Sequence, residues 1–456
     1  MTMNRLYDII KDPKRVILEN IEEKYLTDTL GRVAGTAQAL VFPKTTDEVS
    51  KIMKYAYEND IPVTPRGAGT NLVGSTVPLE GGIVLDVSQM DQILEIDKET
   101  FTATVEPGVV LKDFQAAVEK EGLFYPPDPG EKTATIGGNI STNAGGMRAV
   151  KYGVTRDYVR SLEIVLPDGQ VMTAGTKTVK DSSGLPLKHL IIGSEGTLGI
   201  ITKAVVKLIV KPQISIGVLL PFADLKTGIH AVLNVIRGNV DPTAIEFVEK
   251  KVIALGEEYT GLSFPYPKAK AYIILTLDGD DKGEILKRID KIRDIAKNNG
   301  ALDTLVLEDP RIQDTVWQIR GCLVKAVEAK SEQIPVDIVV PIDKSAEFID
   351  YVNHLEEQTG VTMVSFGHAG DGNVHLCVVR GNRNDEEWEQ ISSKVMEKIY
   401  DKSHELGGLT SGEHGIGISK KTYFLKATPS VNLQIMKQIK SAIDPKNLLN
   451  PKKVFQ

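Results

Sequence analysis

Apolar positions recur with two different periods along the chain, and these periods predict a mixture of helices and strands. Between residues 44 and 58, Val49, Ile52 and Met53 fall at helical spacing after a capping box formed by Thr45 and Glu48, which predicts an amphipathic helix. A second helix is predicted over 110–121. Short apolar or alternating runs are typical of strands, and they lie at 61–63, 83–87, 101–105, 161–166 and 200–210.

The pattern changes after Lys211-Pro212, which is the predicted boundary between two domains. Strands then alternate with long helices, for example over 281–298. The strand–helix–strand rhythm at 215–310 and 335–380 predicts an antiparallel sheet with helices on one face. A last helix is predicted to begin near Val431 and to end at Asp444-Pro445. The chain is therefore predicted to have an α+β fold.

Three glycine-rich segments interrupt the N-terminal half, at 65–82, 125–153 and 193–199. The middle one has almost no secondary-structure pattern, and a loop of that length in a compact domain is usually functional. The first follows a strand, but Leu72 stands where a dinucleotide-binding motif requires glycine, and no helix can start after it. The remaining interpretation is that separate loops converge on one extended ligand. Consecutive backbone N–H groups in such loops bind anions such as a pyrophosphate.

Composition narrows the classes of function. The 456 residues exceed what one core serves, and a net charge of −7 gives no basic footprint for nucleic acid. No apolar run approaches the roughly 20 residues of a membrane span, and the N-terminus lacks a secretory signal, so a cytoplasmic location is expected. The two cysteines, Cys322 and Cys377, are too few for an iron–sulfur cluster. A redox enzyme of this sequence needs an organic cofactor and a separate onward electron carrier.

Two C-terminal runs, at 367–375 and 411–417, contain three of the seven histidines within glycine-rich sequence. His368 and His375 with Glu413 would give two nitrogens and one oxygen to a divalent metal such as zinc, iron or manganese, with positions open for substrate. His414 suits a base, because imidazole titrates near neutrality. The spacing alone is also compatible with ordinary structural roles, with His375 as a strand residue and His368 as a hydrogen-bond donor in a turn. A zinc hydrolase that uses these histidines stays open as well.

The loops at 65–71, 136–146 and 193–200 resemble the FAD-binding domain of the vanillyl-alcohol oxidase/p-cresol methylhydroxylase (PCMH) type. The C-terminal runs further resemble the flavoprotein subunit of glycolate oxidase and the FAD-linked D-lactate and D-2-hydroxyglutarate dehydrogenases. The resemblance covers about residues 35–455 and implies four regions. They are an N-terminal helical segment (1–35), a two-subdomain PCMH-type FAD-binding domain (36–212), a ferredoxin-like antiparallel substrate/cap domain (213–425) and a helical tail that returns to the flavin (426–456).

The resemblance also implies which residues contact FAD. Residues 65–70 would surround the pyrophosphate, 136–146 the isoalloxazine and ribityl, and 195–200 the adenosine end. Because Asn71 and Leu72 stand where some members carry a flavin-bonded histidine, non-covalent FAD is expected. The implied positions are Pro65, Arg66, Gly67, Ala68, Gly69, Thr70, Asn71, Pro127, Asp128, Ile136, Gly137, Gly138, Asn139, Thr142, Asn143, Gly145, Gly146, Tyr152, Gly153, Glu195, Gly199, Ile200 and Asn450.

For the substrate, the resemblance makes His368, His375 and Glu413 metal ligands, His414 the base, and Arg320 the clamp for a carboxylate. Near Asn450 the family commonly reads Asn-Pro-Gly-Lys, whereas this chain has Lys452 for the glycine. Positions that bind the far carboxylate of D-2-hydroxyglutarate are Pro335 and Cys377 here, uncharged and without an amide, which favours lactate or glycolate.

The implied activity is FAD-dependent oxidation of a small 2-hydroxy acid to the 2-oxo acid, with electrons passed to a separate acceptor. An electron-transfer flavoprotein, a quinone and an iron–sulfur subunit are the alternative acceptors. An oxygen-reducing oxidase, a flavoprotein subunit of a larger complex, and D-2-hydroxyglutarate as substrate stay open as alternatives.

Overall fold

The computed structural model describes residues 3–456, which form two compact units. The first comprises the residues up to Gly145, Val154–Lys211 and Glu413–Gln456. The second comprises Gly146–Gly153 and Pro212–Gly412. The chain therefore enters the second unit twice, and its C-terminal tail returns to the first.

The first unit contains two main sheets. One has the order β1-β2-β4-β3, with β4 parallel to both β2 and β3, and the other is antiparallel with the order β5-β6-β10-β8-β9. The strands are β1 (Val16–Ile17), β2 (Ala39–Val41), β3 (Val63–Arg66), β4 (Ile83–Asp86), β5 (Ile93–Asp97), β6 (Thr102–Val105), β7 (Leu123–Phe124), β8 (Val159–Val165), β9 (Val171–Gly175), β10 (Ile200–Lys207) and β11 (Ile209–Val210). Two sheets in this unit agree with the predicted two-subdomain organisation.

The α-helices of the described residues include the four predicted at 44–58, 110–121, 281–298 and 431–444, each within two residues at both ends. They are α1 (Arg5–Ile9), α2 (Thr46–Glu58), α3 (Leu111–Lys120), α4 (Ile136–Thr142), α5 (Ala149–Tyr152), α6 (Lys188–Ile191), α7 (Leu225–Arg237), α8 (Lys250–Thr260), α9 (Lys282–Asn298), α10 (Pro310–Gly321), α11 (Leu323–Glu328), α12 (Ser345–Thr359), α13 (Asp385–Glu405), α14 (Lys421–Ala427) and α15 (Ser430–Ile443). Among the described residues, no helix is long and apolar enough to cross a membrane.

The second unit is built on one antiparallel seven-stranded sheet with the order β15-β12-β14-β13-β17-β18-β16. Its strands are β12 (Ile214–Phe222), β13 (Ala244–Glu249), β14 (Ala271–Gly279), β15 (Leu305–Leu307), β16 (Gln333–Val339), β17 (Met363–His368) and β18 (Asn373–Val379). The antiparallel sheet and the α+β class are as predicted.

The expectation that helices cover one face of this sheet is wrong. Ile274 shares a core cluster with Val252 of α8 and Ile319 of α10, whereas the neighbouring Ile273 lies beside Gly228 of α7. Successive strand residues point to opposite faces, so helices pack on both. Strand β14 is accordingly buried along nearly its whole length, as expected when both faces are covered.

Two local predictions also need correction. The segment 125–153 is not a continuous loop, because Thr135 caps α4 through a bond from the Gly138 N–H, and α5 follows at Ala149–Tyr152. At α2, Thr45 accepts from the Glu48 N–H, but the Glu48 carboxylate accepts from the Lys44 N–H and pairs with Arg15. The reciprocal half of the predicted capping box is therefore replaced by an ion pair to the N-terminal segment.

Candidate active site

The loop that follows β3 carries the first set of predicted FAD-binding residues. Within the described chain, the backbone N–H groups of Ala68, Gly69 and Thr70 donate to no protein acceptor. Gly69 has a positive φ of 73°, and a Cβ there would lie 2.0 Å from the Arg66 guanidinium. Consecutive unpaired N–H groups in a turn are what an anion such as a pyrophosphate binds. The loop therefore fits the role that the resemblance implies.

Arg66 itself points into the protein. Its guanidinium donates to the Lys24 carbonyl at 2.7 Å and to the Thr76 hydroxyl at 3.3 Å, and it lies 4.0 Å from Asp86. Burial lowers the pKa of Arg66, while Asp86 opposes the change. The side chain of Arg66 is therefore occupied by protein contacts, and the predicted contact with FAD would have to be made by its backbone.

The second predicted segment is the short helix α4 and the turn after it. A Cβ at Gly137 would lie 2.6 Å from the Pro107 Cβ, so this glycine allows α4 to pack closely. Asn143 ends the helix with a φ of 53°, and its Oδ1 accepts from the Arg156 N–H at 2.9 Å. The absence of a side chain at Gly137 thus lets the first turn of α4 lie close to Pro107.

The residues near the third glycine loop have different surroundings. Ile200 is a buried member of the apolar core, and a Cβ at Gly199 would lie 2.4 Å from the Ile164 side chain. The side chain of Ile200 and the Cα of Gly199 therefore have packing roles.

Two predicted residues of the middle glycine-rich segment are also held by protein contacts. Asp128 is 5% exposed and forms an ion pair with Lys132, and the Pro127 carbonyl accepts from Gln115 at 3.1 Å.

Glu195 contacts the part of the second histidine-bearing run that belongs to the first unit. Its buried carboxylate accepts from the Ser75 hydroxyl, from the Ile416 N–H at 2.7 Å and from the Gly417 N–H at 2.8 Å. Burial raises the pKa of Glu195, and these hydrogen bonds oppose the rise. The carboxylate predicted to lie at the adenosine end therefore holds the backbone of 416–417.

The segment that carries Glu413 and His414 is fixed by further contacts within this unit. The Asn71 side chain donates to the His414 carbonyl at 3.2 Å, and the Ile418 N–H donates to the Val73 carbonyl at 2.9 Å. A Cβ at Gly145 would lie 3.4 Å from the Glu413 carboxylate. The predicted base thus lies on a segment bonded to the loop that continues the FAD-binding turn.

The tail returns to the same loops through Asn450. Its side chain donates to the Ser75 carbonyl at 3.0 Å and to the Glu195 carbonyl at 2.7 Å, and its N–H donates to Val63 at 2.8 Å. Asn450 has a positive φ of 46° and Lys452 one of 65°. Lys452 thus adopts the left-handed conformation that glycine favours.

In the second unit, β17 and β18 bring His368 and His375 together. The two imidazoles are perpendicular, with ring centroids 5.0 Å apart and Nε2 atoms 3.3 Å apart. Two imidazoles bound to one tetrahedral zinc at about 2.0–2.1 Å place their nitrogens about 3.4 Å apart. The spacing of these two Nε2 atoms therefore fits two ligands of one metal ion.

Glu246 of β13 is a site residue that the sequence analysis missed. Its carboxylate is fully buried; Oε1 accepts from His368 Nδ1 at 2.6 Å, and Oε2 accepts from Arg320 Nε at 3.1 Å and Nη2 at 2.6 Å. Burial raises the pKa of Glu246, but the charges of His368 and Arg320 outweigh it and lower the pKa overall. Arg320 also stacks on Phe366, 5.0 Å from the ring centroid.

Asp337 of β16 is the second missed residue. It is directly paired with His375 across the sheet and is fully buried. Its carboxylate accepts from the Asn373 side chain at 2.8 Å and from the Ser411 hydroxyl at 2.7 Å. An acid flanked by apolar strand residues, as in 335–339 and 244–248, is the sequence signal that could have identified both, because a buried charge requires partners.

Three predicted FAD contacts, Gly146, Tyr152 and Gly153, belong to the second unit instead of the first. The Tyr152 hydroxyl donates to Asp278 at 2.8 Å, and Lys151 forms an ion pair with the same carboxylate at 2.7 Å. Burial raises the pKa of Asp278, but the hydrogen bonds from Lys151 and Tyr152 lower it overall. These contacts anchor α5 to the sheet that carries the histidines.

Together these features define the class of protein: a flavoprotein oxidoreductase with a PCMH-type FAD-binding domain. The model of the FAD-binding domain family matches residues 37–175, and that of the FAD-linked oxidase C-terminal domain matches residues 211–454. The chain belongs to the FAD-linked oxidase family.

Individual relatives agree with this assignment. The chain is 41% identical to a D-lactate dehydrogenase of Anaerostipes hadrus, over 97% of this chain and 95% of that one. It is 38% identical to the glycolate oxidase subunit GlcD of Bacillus subtilis (strain 168), over 98% and 97%. Among solved structures, p-cresol methylhydroxylase with bound substrate aligns with a TM-score of 0.78 at 18% identity, over 99% and 97%, and supports the fold.

Proposed function

We propose that the protein oxidises a small 2-hydroxy acid, D-lactate or glycolate, to the 2-oxo acid. The observation that carries the proposal is the pair of Nε2 atoms of His368 and His375, held 3.3 Å apart beside the Glu246–Arg320 pair. This arrangement supplies ligands for a cation next to a guanidinium that can bind a carboxylate. The relatives named for lactate and glycolate support the same substrate class.

His368 and His375, with Glu413 as the third ligand predicted from the sequence, would hold a divalent metal: zinc, iron or manganese. The Nδ1 of His368 bonds Glu246, which leaves Nε2 as the coordinating atom. When bound, the metal would polarise the hydroxyl and carboxylate oxygens of the substrate and lower the hydroxyl pKa.

Arg320 would bind the substrate carboxylate. Its bonds to Glu246 use Nε and Nη2, so the end of the guanidinium that carries Nη1 and the second Nη2 hydrogen remains available for a bidentate pair. Pro335 and Cys377 are paired across β16 and β18, on the same face as His375, and Cys377 is buried in the apolar core. An apolar end of this face suits the methyl group of lactate and offers no partner for a second carboxylate.

His414 would accept the hydroxyl proton as the α-hydrogen leaves with its electron pair. FAD, held non-covalently by the loops described above, would supply the hydride acceptor. The products are the 2-oxo acid, a protonated His414 and a reduced cofactor, which a separate acceptor must reoxidise. We further propose that the protein is cytoplasmic. Its electrons would pass to an electron-transfer flavoprotein, a quinone or an iron–sulfur subunit.

Anaerobic titration of the purified flavoprotein with D- and L-lactate, glycolate and D-2-hydroxyglutarate tests the proposal, with metal analysis on the same sample. We expect D-lactate or glycolate to bleach the flavin absorbance most efficiently. Greater efficiency with D-2-hydroxyglutarate would contradict the substrate assignment. Stoichiometric peroxide under air would favour the oxygen-reducing alternative over a separate acceptor.

A further inference from the structure

Glu246 contacts His368 and Arg320, to which the proposed function assigns metal binding and carboxylate binding. It lies opposite His368 in the pairing of β13 with β17, 122 residues away in the chain. One carboxylate oxygen accepts from His368 and the other from Arg320. The two contacts are made by opposite oxygens of the same group.

Stability alone does not account for this arrangement. A charged pair buried in a sheet gives up the hydration of both groups, and apolar residues of the same volume often stabilise a fold equally well. The strand around Glu246 is apolar, with Ile245, Phe247 and Val248 all buried. A carboxylate at this position is therefore better explained by what it orients.

We propose that Glu246 is a positioning residue that couples metal binding to carboxylate binding. It fixes the His368 tautomer and ring orientation through Nδ1, and it fixes the Arg320 guanidinium through Nε and Nη2. This inference rests on the proposed function, because it assumes that His368 binds a metal and that Arg320 binds the substrate. It goes beyond that function by assigning both side chains to one buried carboxylate.

The chemistry of the amide makes the inference testable. In Glu246→Gln one oxygen becomes an NH₂ group, which donates and cannot accept from either the imidazole or the guanidinium. An NH₂ turned towards Arg320 loses that contact, whereas an NH₂ turned towards His368 would require Nδ1 to accept and would move the proton to Nε2, the metal-binding atom. Glu249→Gln is the matched control, because Glu249 is a buried acid on the same strand whose carboxylate accepts from the Ser365 N–H and lies beside Lys251.

The experiment uses the FAD-loaded protein stripped with a chelator and titrated with Zn²⁺ against a chromophoric competitor. We expect Glu246→Gln to bind Zn²⁺ about 10–100-fold more weakly, the usual effect of losing such a partner, and to show a raised KM for D-lactate. We expect Glu249→Gln to match the wild type in both. Glu246→Asp, which keeps the charge but shortens the reach, is measured in the same way if Glu246→Gln is recovered unfolded.

The outcomes separate this inference from the proposed function. A folded Glu246→Gln or Glu246→Asp with wild-type Zn²⁺ affinity and KM, alongside a His375→Ala variant that loses Zn²⁺, overturns the role of Glu246 alone. Equal loss of Zn²⁺ affinity in Glu249→Gln also overturns it, because the effect would then be general. A wild-type protein that binds no Zn²⁺ overturns the metal site and this inference together.

Discussion

At the level of single residues, the fold buries several charged groups and gives each of them hydrogen-bond or ion-pair partners. The candidate site histidines could be identified from the sequence, because they lie in two short glycine-rich runs. Glu246 and Asp337 could not be predicted as their partners, because each lies among apolar strand residues and far from its histidine in the sequence. Only the pairing of the strands brings Glu246 to His368 and Asp337 to His375.

Lys453 is a buried lysine that should make the stability of the protein depend on pH. Its ammonium group is fully buried and donates to the Val77 carbonyl at 2.5 Å, with the Ser75 carbonyl at 3.4 Å. Burial lowers the pKa of Lys453 to about 7, and Glu195 opposes the change. Between that value and the ordinary lysine pKa of about 10.4, the unfolded chain binds more protons than the folded one.

The free energy of unfolding contributed by Lys453 should therefore rise with pH between about 7 and 10, by at most about 1.4 kcal/mol per pH unit. Denaturant unfolding of the wild type and of Lys453→Met at several pH values measures this. We expect the wild type to gain stability relative to the variant as pH increases. A difference that stays constant over this range would mean that Lys453 is charged in both states.

At the scale of elements, the regular helices and strands follow the hydrophobic pattern closely, and the departures occur where packing overrides it. Helix α4 was predicted as a loop because its sequence has two adjacent glycines, each costing about 1 kcal/mol in a helix relative to alanine. Its tight packing on Pro107 requires one of them. Helices on both faces of the large sheet escaped prediction because periodicity does not reveal which face a helix covers.

The segment after Gly412 carries the predicted base His414, and its backbone should be sensitive to substitution at Gly415. Gly415 has a φ of 85°, and a Cβ there would lie 2.9 Å from the carboxylate carbon of Glu195. Gly415→Ala should displace the backbone that carries His414, so we expect flavin reduction by D-lactate to slow towards the roughly 10²–10⁴-fold loss expected for His414→Ala. Stopped-flow reduction under anaerobic conditions measures both.

Gly31→Ala is the control for backbone strain. Gly31 also has a positive φ, of 66°, but a Cβ there would meet no atom within 4 Å. We expect this variant to be somewhat less stable and to reduce its flavin at the wild-type rate. If Gly415→Ala retained FAD and also reduced it at the wild-type rate, the contacts of this segment would not position the base.

At the scale of the whole molecule, the chain combines an FAD-binding unit with a sheet-based unit, and the family assignment covers both. The family could be inferred from the order of the glycine-rich loops and the two histidine-bearing runs. The substrate and the metal could not be fixed in this way, because the relatives include a lactate and a glycolate enzyme. We propose that both are determined in the second unit, where His368, His375, Glu246 and Arg320 lie together.

We propose that a metal held by the histidines assists oxidation of the 2-hydroxy acid by the FAD-loaded protein. The most direct test removes the metal with a chelator, confirms that FAD is retained, and measures anaerobic flavin bleaching by D-lactate before and after Zn²⁺ or Mn²⁺ is restored. We predict that bleaching is lost with the metal and returns with it. Full bleaching by the metal-free flavoprotein would contradict the account.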